Sequence, residues 1–465
     1  MNSLFLIATL VLSHLFTDHA VLQQQTDAPV WGWGEPGRTV TVSGSWSKEK
    51  VKTTVEADGS WRVSLPTGAA GTGYTLTVKS GKETLTVQDV ALGEVWICSG
   101  QSNMEMPVRG FGFQEVEGAL EAILEAPETA SRVRVFDIKT PRRYQPEADV
   151  DASWACSYGD VAAGTSAVAY FFARRLTRSL GVPVGIIVNA WGGSRIEPWM
   201  PREVIDAAGI TPAERAEIEA VKDQEWPTVP ELIWNGRVNP IVGYAAKGII
   251  WYQGCSNIGQ GCYDKLQAAM VKHWRKAWGR DLPFIYTLLA PYSHGDSNGT
   301  WRPEFVRTQM NTSKLLPNSW AICTETLGDE VTIHPPKKKE VADMMVQRAL
   351  QNVYGIALGV DIELPEAESV EFQDDGSVKI RLSHVWSNLM SITARSIRGF
   401  ELAGEDRVFH AAEAEVFWDG NTILVRCADV PEPAAVRYGW RNYMGANLQT
   451  SYGIPVPPFE FARCK

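Results

Sequence analysis

Hydrophobic and polar residues alternate at nearly every step through the first part of the chain. TVTVSG (39–44), VKTTVEA (51–57), SWRVSLP (60–66), YTLTVK (74–79) and LTVQDV (85–90) each switch character with period two, as half-buried strands do. Asp58-Gly59 and Ser80-Gly81 lie between such runs and suit hairpin turns. A small β-sandwich-like region is predicted for residues 1–92.

From residue 93 the pattern changes. EVWICSG (94–100), VPVGIIVNA (182–190), GIIWYQG (248–254), LPFIYTLLA (282–290) and WAICTET (320–326) are short apolar runs, as expected for strands covered on both faces. Helical periodicity lies between them. In SAVAYFFARRLTRSLG (166–181), Val168, Phe171, Phe172 and Leu176 recur at helical spacing and Gly181 suits the helix end. YDKLQAAMVKHWRKAW (263–278) and KKKEVADMMVQRAL (337–350) behave similarly. Alternating strands and helices predict an α/β domain over 93–358 built on a doubly wound, mainly parallel sheet. Residues 359–465 return to alternation in SVKIRLS, ITARSI, AEVFWDG and TILVRC, and predict a C-terminal β region. The closing GIPVPPFEFARCK is proline-rich and reads as an extended tail across the surface.

The architecture directs attention to the carboxyl ends of the strands, where ligands bind on such sheets. Those ends carry GQSN (100–103), NAWGGS (189–194), QGCSN (253–257) and APY (290–292), with TIHP (332–335) after the last strand. Together they offer serine, paired glycines, asparagine and histidine, the parts of an acyl-transfer site. A serine hydroxyl needs a base to become nucleophilic, and His334 stands best placed among the seven histidines. The N–H of Ser102, an N–H of the Gly192-Gly193 turn and the amide of Asn257 could receive an oxyanion. No metal or organic cofactor is required by this chemistry.

Composition narrows the class. Charged residues are 21% and hydrophobic ones 45%, with a net charge of −10, a globular balance that argues against a nucleic-acid surface. The seven cysteines show no CxxC or Cys/His cluster in sequence, so a structural zinc site is not expected. Cys255 and Cys262 bracket a short loop and would suit a disulfide in an oxidising compartment. MNSLFLIATLVL is either a secretion signal lacking a basic start or a first buried strand. It is too short to span a membrane. Oligomeric state is left open.

Six segments in order resemble the sialate O-acetylesterase branch of the SGNH hydrolases: GEVWICSGQSNMEMPV, SAVAYFFARRL, VPVGIIVNAWGGSRIEPWM, WYQGCSN, WRKAWGRDLPFIYTLLAPY and IHPPKKKEVADMM. LFTDHAVLQ, GFELAG and AVRYGW extend the likeness over nearly the whole chain. The resemblance implies a secreted or periplasmic serine esterase acting on O-acetylated sugars, sialic acid first and acetylated xylan second. Its signature residues fall on Ser102, a glycine of the Gly192-Gly193 turn, Asn257 and His334. Substrate contacts are expected from Gln101, Gln253, Arg195 and Trp191, with Arg195 or Arg307 holding a sialic-acid carboxylate. Two positions depart from the family. QGES or QGEA becomes QGCS at Cys255, and DIHP becomes TIHP at Thr332. The missing acid leaves a Ser-His dyad, or a role for Asp329 or Glu330 from the preceding loop. A second reading is a non-catalytic glycan binder, with Trp191, Trp199, Trp251 and Tyr292 as its sugar platform.

Overall fold

The computed structural model describes residues 9–222, 226–392 and 396–463. Two compact units divide them. One holds the chain up to Ala208 with Glu217–Trp251 and Ala269–Phe284, and the other holds Gly209–Ala216, Tyr252–Ala268 and the chain from Ile285 onward.

In the first unit the alternating runs form the expected strands at Thr39–Gly44, Lys50–Thr54, Ser60–Pro66 and Gly71–Ser80. The strand Glu83–Gly100 is unusually long. Its first half pairs antiparallel with Gly71–Ser80, and its second half pairs parallel with Val184–Ala190. One rod of backbone thus runs from the N-terminal β region into the α/β sheet and ends one residue before Gln101. Val184–Ala190 pairs parallel with Val133–Asp137, which pairs antiparallel with Trp154–Cys156. The sheet is therefore mixed, with parallel pairs inside and an antiparallel pair at this edge, where the alternation of strands and helices predicts a mainly parallel sheet. The antiparallel edge follows from the local return of the chain through residues 138–153, which holds no crossover helix. Every residue of Val184–Ala190 is buried, which explains its unbroken apolar run.

The helix Ala167–Leu180 matches its sequence signals at both ends. Ser166 accepts from Ala169 N at 3.1 Å, and Gly181 ends the helix in left-handed conformation. Residues 1–8 of the apolar start lie outside the described residues. Just beyond them, Leu10 is buried and Val11–Leu12 pairs with Gly32 and Trp33.

The second unit contains the strand Phe284–Thr287 from Ile285 onward, the strand Ser319–Ile322, and a C-terminal pair of four-stranded sheets. Val378–Leu382 alternates buried and exposed along its length. Its inward residues join Phe400, Leu402, Ile423, Val425, Tyr438 and Phe459 in one core. The proline-rich end is not a surface tail. Ile454, Val456 and Phe459 are buried, and Phe459–Ala462 pairs with Ala435–Tyr438. Proline is tolerated there because it precedes the strand and leaves the ladder's donors intact. Cys464 and Lys465 lie outside the described residues. Arg302, fully buried, grips Glu325 through two bonds of 2.6 and 3.0 Å. Burial raises the Glu325 carboxyl, and the Arg302 charge opposes that rise. The pair ties the helix Trp301–Leu315 to the segment after Ser319–Ile322.

Candidate active site

Ser102 stands at the first position of the short helix Ser102–Glu105, one residue beyond the strand Glu83–Gly100. The reversal from strand to helix uses Gly100, whose φ is +147°, a conformation open to glycine and strained for other residues. Gln101 is buried, and its carbonyl accepts from Met104 N and Glu105 N. The neighbouring strand exit is stitched to this one, because Trp191 N donates to Gly100 O at 2.9 Å. Ser102 and the Gly192-Gly193 turn therefore face one another. A Cβ built on Gly192 would lie 3.5 Å from Ser102 Cβ.

Two residues that sequence reasoning passed over support this turn. Glu105 Oε2 accepts from Gly192 N at 2.7 Å, so the carboxylate one helical turn after Ser102 fixes the glycine turn. Arg237, buried, lies over the Trp191 ring at 3.9 Å and donates to Ala190 O at 2.8 Å. Burial lowers its guanidinium to about 10, against the opposing pull of Glu105 and Asp137. The signal for Glu105 was present in its i+3 spacing from Ser102. Arg237 lies too far along the chain to be legible. Arg195 bonds the fully buried Glu197 at 3.0 Å.

Gly192→Ala is expected to lower kcat by up to about 100-fold, not by deleting a donor, since Gly192 N–H is held by Glu105, but by disturbing the turn in which the oxyanion donors are expected. The added methyl would sit 2.8 Å from Glu105 Oε2 and must displace it. Steady-state turnover, with the melting temperature as a control on folding, checks this. An unchanged kcat would remove the turn from the site.

In the second unit, a second glycine at φ +147°, Gly254, turns the chain from Tyr252 into the short helical turn Cys255–Asn257. A side chain there would meet Phe305 at 2.8 Å. Asn257 Oδ1 accepts from Gln253 Nε2 at 2.7 Å, and Asn257 Nδ2 donates to Gln260 Oε1 at 2.7 Å. Tyr263 in turn donates to Gln253 Oε1 at 2.6 Å. Gln253 is fully buried, and these bonds give it the work of orienting Asn257.

His334 lies on the loop before the helix Lys338–Arg348. Asp329 Oδ1 accepts from Val331 N at 2.8 Å and Thr332 N at 2.9 Å. Thr332 Oγ1 then accepts from His334 N at 3.1 Å. The Thr332 hydroxyl thus supports the backbone of His334. Burial lowers the imidazole to about 4, and the Lys338 ammonium adds to the effect. Lys338 is itself buried, 5.7 Å from the Tyr252 ring centre, and burial lowers it to about 7 while Cys255 opposes the shift. Cys255 and Cys262 are both thiols, so the loop they bracket is held by Asn257 and Gln260 without a disulfide. Of the expected sugar platform, Trp199 and Trp251 are lost to the core, while Trp191 and Tyr292 are half-buried. Trp199 and Trp251 are fully buried, packed edge-on at 5.2 Å with Trp274 beside them, and their indoles build the core.

The family model for "Carbohydrate esterase, sialic acid-specific acetylesterase" matches residues 92–351. A carbohydrate acetylesterase from Xanthomonas citri superposes with a TM-score of 0.85 at 32% identity, covering 97% of this chain and 99% of that one. A sialate O-acetylesterase of Pongo abelii is 30% identical over 96% of this chain and 91% of its own length. One from Mus musculus is 27% identical over 95% and 92% respectively. The class is therefore that of carboxylic ester hydrolases. The chain belongs to the carbohydrate esterase, sialic acid-specific acetylesterase family. Among the described residues, no helix is long and apolar enough to cross a membrane.

Proposed function

We propose that this chain is a serine esterase that removes O-acetyl groups from carbohydrates, with O-acetylated sialic acid as its substrate. The observation that carries the reading is the family match over 92–351, which contains Ser102, Gly192, Gly193, Asn257 and His334. In this reading Ser102 Oγ attacks the acetyl carbonyl carbon while its proton passes to His334. The carbonyl oxygen, now negative, is received by Ser102 N–H, the Gly192-Gly193 turn and Asn257. The tetrahedral intermediate collapses, the sugar oxygen leaves with the proton from His334, and an acetyl ester remains on Ser102. Water then attacks that ester by the same route and acetate departs.

The proposal extends to the SGNH-hydrolase fold, to secretion or periplasmic residence, and to the division of labour among 1–92, 93–358 and 359–465. It assigns Thr332 the structural part of the usual acid, positioning His334 without stabilising its charge. Thr332 and Cys255 also favour a second reading, a glycan-binding protein without turnover. Acetate release from 9-O-acetylated sialic acid and from acetylated xylan distinguishes these. Faster release from sialic acid is expected. Faster release from xylan would overturn the substrate, and silence on both would favour the binding protein.

A further inference from the structure

We infer that His19, Asp89 and Cys156 form a binding site for a single zinc ion, apart from the esterase residues. The three come from separate segments, so no sequence spacing reveals them. Val21–Gln23 pairs parallel with Glu83–Gly100 in a register that sets Val21 beside Ala91. His19, in the turn two residues before Val21, donates its N–H to Gln88 O at 3.1 Å and so comes beside Asp89. Cys156 ends the strand Trp154–Cys156, opposite Arg134.

The distances suit a small, soft-to-borderline cation. His19 Nδ1 is 2.8 Å from Asp89 Oδ2, and Cys156 Sγ is 3.8 Å from His19 Nδ1. Among the described residues these three form the one group of such side chains whose ligand atoms all lie within 4.8 Å of one another. Tetrahedral zinc with its ordinary bond lengths sets nitrogen and oxygen ligands about 3.3 Å apart, and sulfur and nitrogen about 3.6 Å apart. The histidine–aspartate pair needs to open by about half an ångström, and the cysteine barely moves. A thiolate with an imidazole selects zinc over magnesium or calcium. His19 and Asp89 side chains are 43% and 39% exposed, so a water has access to the fourth position.

Two further features indicate a built site. His19 and Asp89 both hold left-handed backbone, with φ of +68° and +50°, a strained arrangement that non-glycine residues keep where the surroundings demand it. Arg134, almost wholly buried, supplies that demand. It donates to His19 O at 3.1 Å, to Asp89 O at 3.0 Å and to the Asp89 carboxylate. Its charge weakens the attraction for a cation but fixes both ligand loops. A thiolate and a carboxylate bring two negative charges, which a divalent ion balances.

The test is titration of the whole chain with Co²⁺ alone, read by visible absorption, with Zn²⁺ as competitor. The wild type is expected to bind one Co²⁺ with a thiolate-to-metal charge-transfer band that Zn²⁺ abolishes. Cys156→Ser should lose that band and His19→Ala should weaken binding at least about ten-fold, while Cys427→Ser keeps both. Zn²⁺ should raise the melting temperature of the wild type and not that of Cys156→Ser. Absence of the band in the wild type, or its survival in Cys156→Ser, would overturn the site. None of these readouts depends on esterase activity.

Discussion

Ser102→Ala is expected to lower kcat/KM for acetate release by about 10⁴- to 10⁶-fold, the range seen when a serine nucleophile is removed. Folding should be unaffected. The carbonyl of Ser102 accepts from Met106 N at 2.8 Å, and alanine keeps that bond and the short helix it closes. A residual rate above water is expected from the glycine turn and Asn257, which the substitution leaves in place. The control is the melting temperature of the variant beside its kinetics. A loss below ten-fold with unchanged folding would show that another group carries the acetyl.

Thr332→Asp is expected to raise kcat by about ten-fold or more and to shift the acid limb of the pH profile. Removing the orienting acid from a triad costs about 10⁴-fold elsewhere, so restoring one has room to act. The sign follows from His334, which burial and Lys338 lower from an ordinary 6.5 to about 4. As the proposed base, His334 must be neutral, so activity should fall only as pH drops toward 4. An adjacent carboxylate favours the imidazolium and raises its pKa, moving the limb toward 6.5. A pH series of kcat/KM on both proteins measures this. A variant slower than the wild type, with its limb unmoved, would mean that the Thr332 hydroxyl bond to His334 N matters more than a charge.

The same burial sets a stability trend. Between pH 4 and 6.5 the unfolded chain binds a proton at residue 334 that the folded chain rejects, so stability rises with pH across that window and is lost as pH falls through it. Lys338, lowered from 10.5 to about 7, acts in the same direction between those values.

The strands and the helix Ala167–Leu180 were legible because burial on one face imposes a period, and Ser166 and Gly181 marked the helix ends. The sequence offers the serine, the glycine pair, Asn257 and His334 as candidate chemistry at strand exits, and their roles stand as proposed. The supports were not legible. Glu105 grips Gly192 through a reversal that only Gly100 permits, and Arg237 reaches Trp191 from far along the chain. Tryptophan was misread for a related reason. An indole's flat face serves a sugar and a core equally in sequence, and only burial separated Trp199 and Trp251 from a platform. Cys156 escaped notice because its partners, His19 and Asp89, meet it only in the folded chain.

Covalent capture tests the central claim most directly. Treating the wild type with a fluorophosphonate and mapping the adduct by peptide mass is expected to place one phosphonyl group on Ser102. His334→Ala should slow the labelling strongly, and Ser102→Ala should abolish it. A wild type that stays unlabelled, or carries the group on another serine, would contradict the assignment of Ser102 as nucleophile.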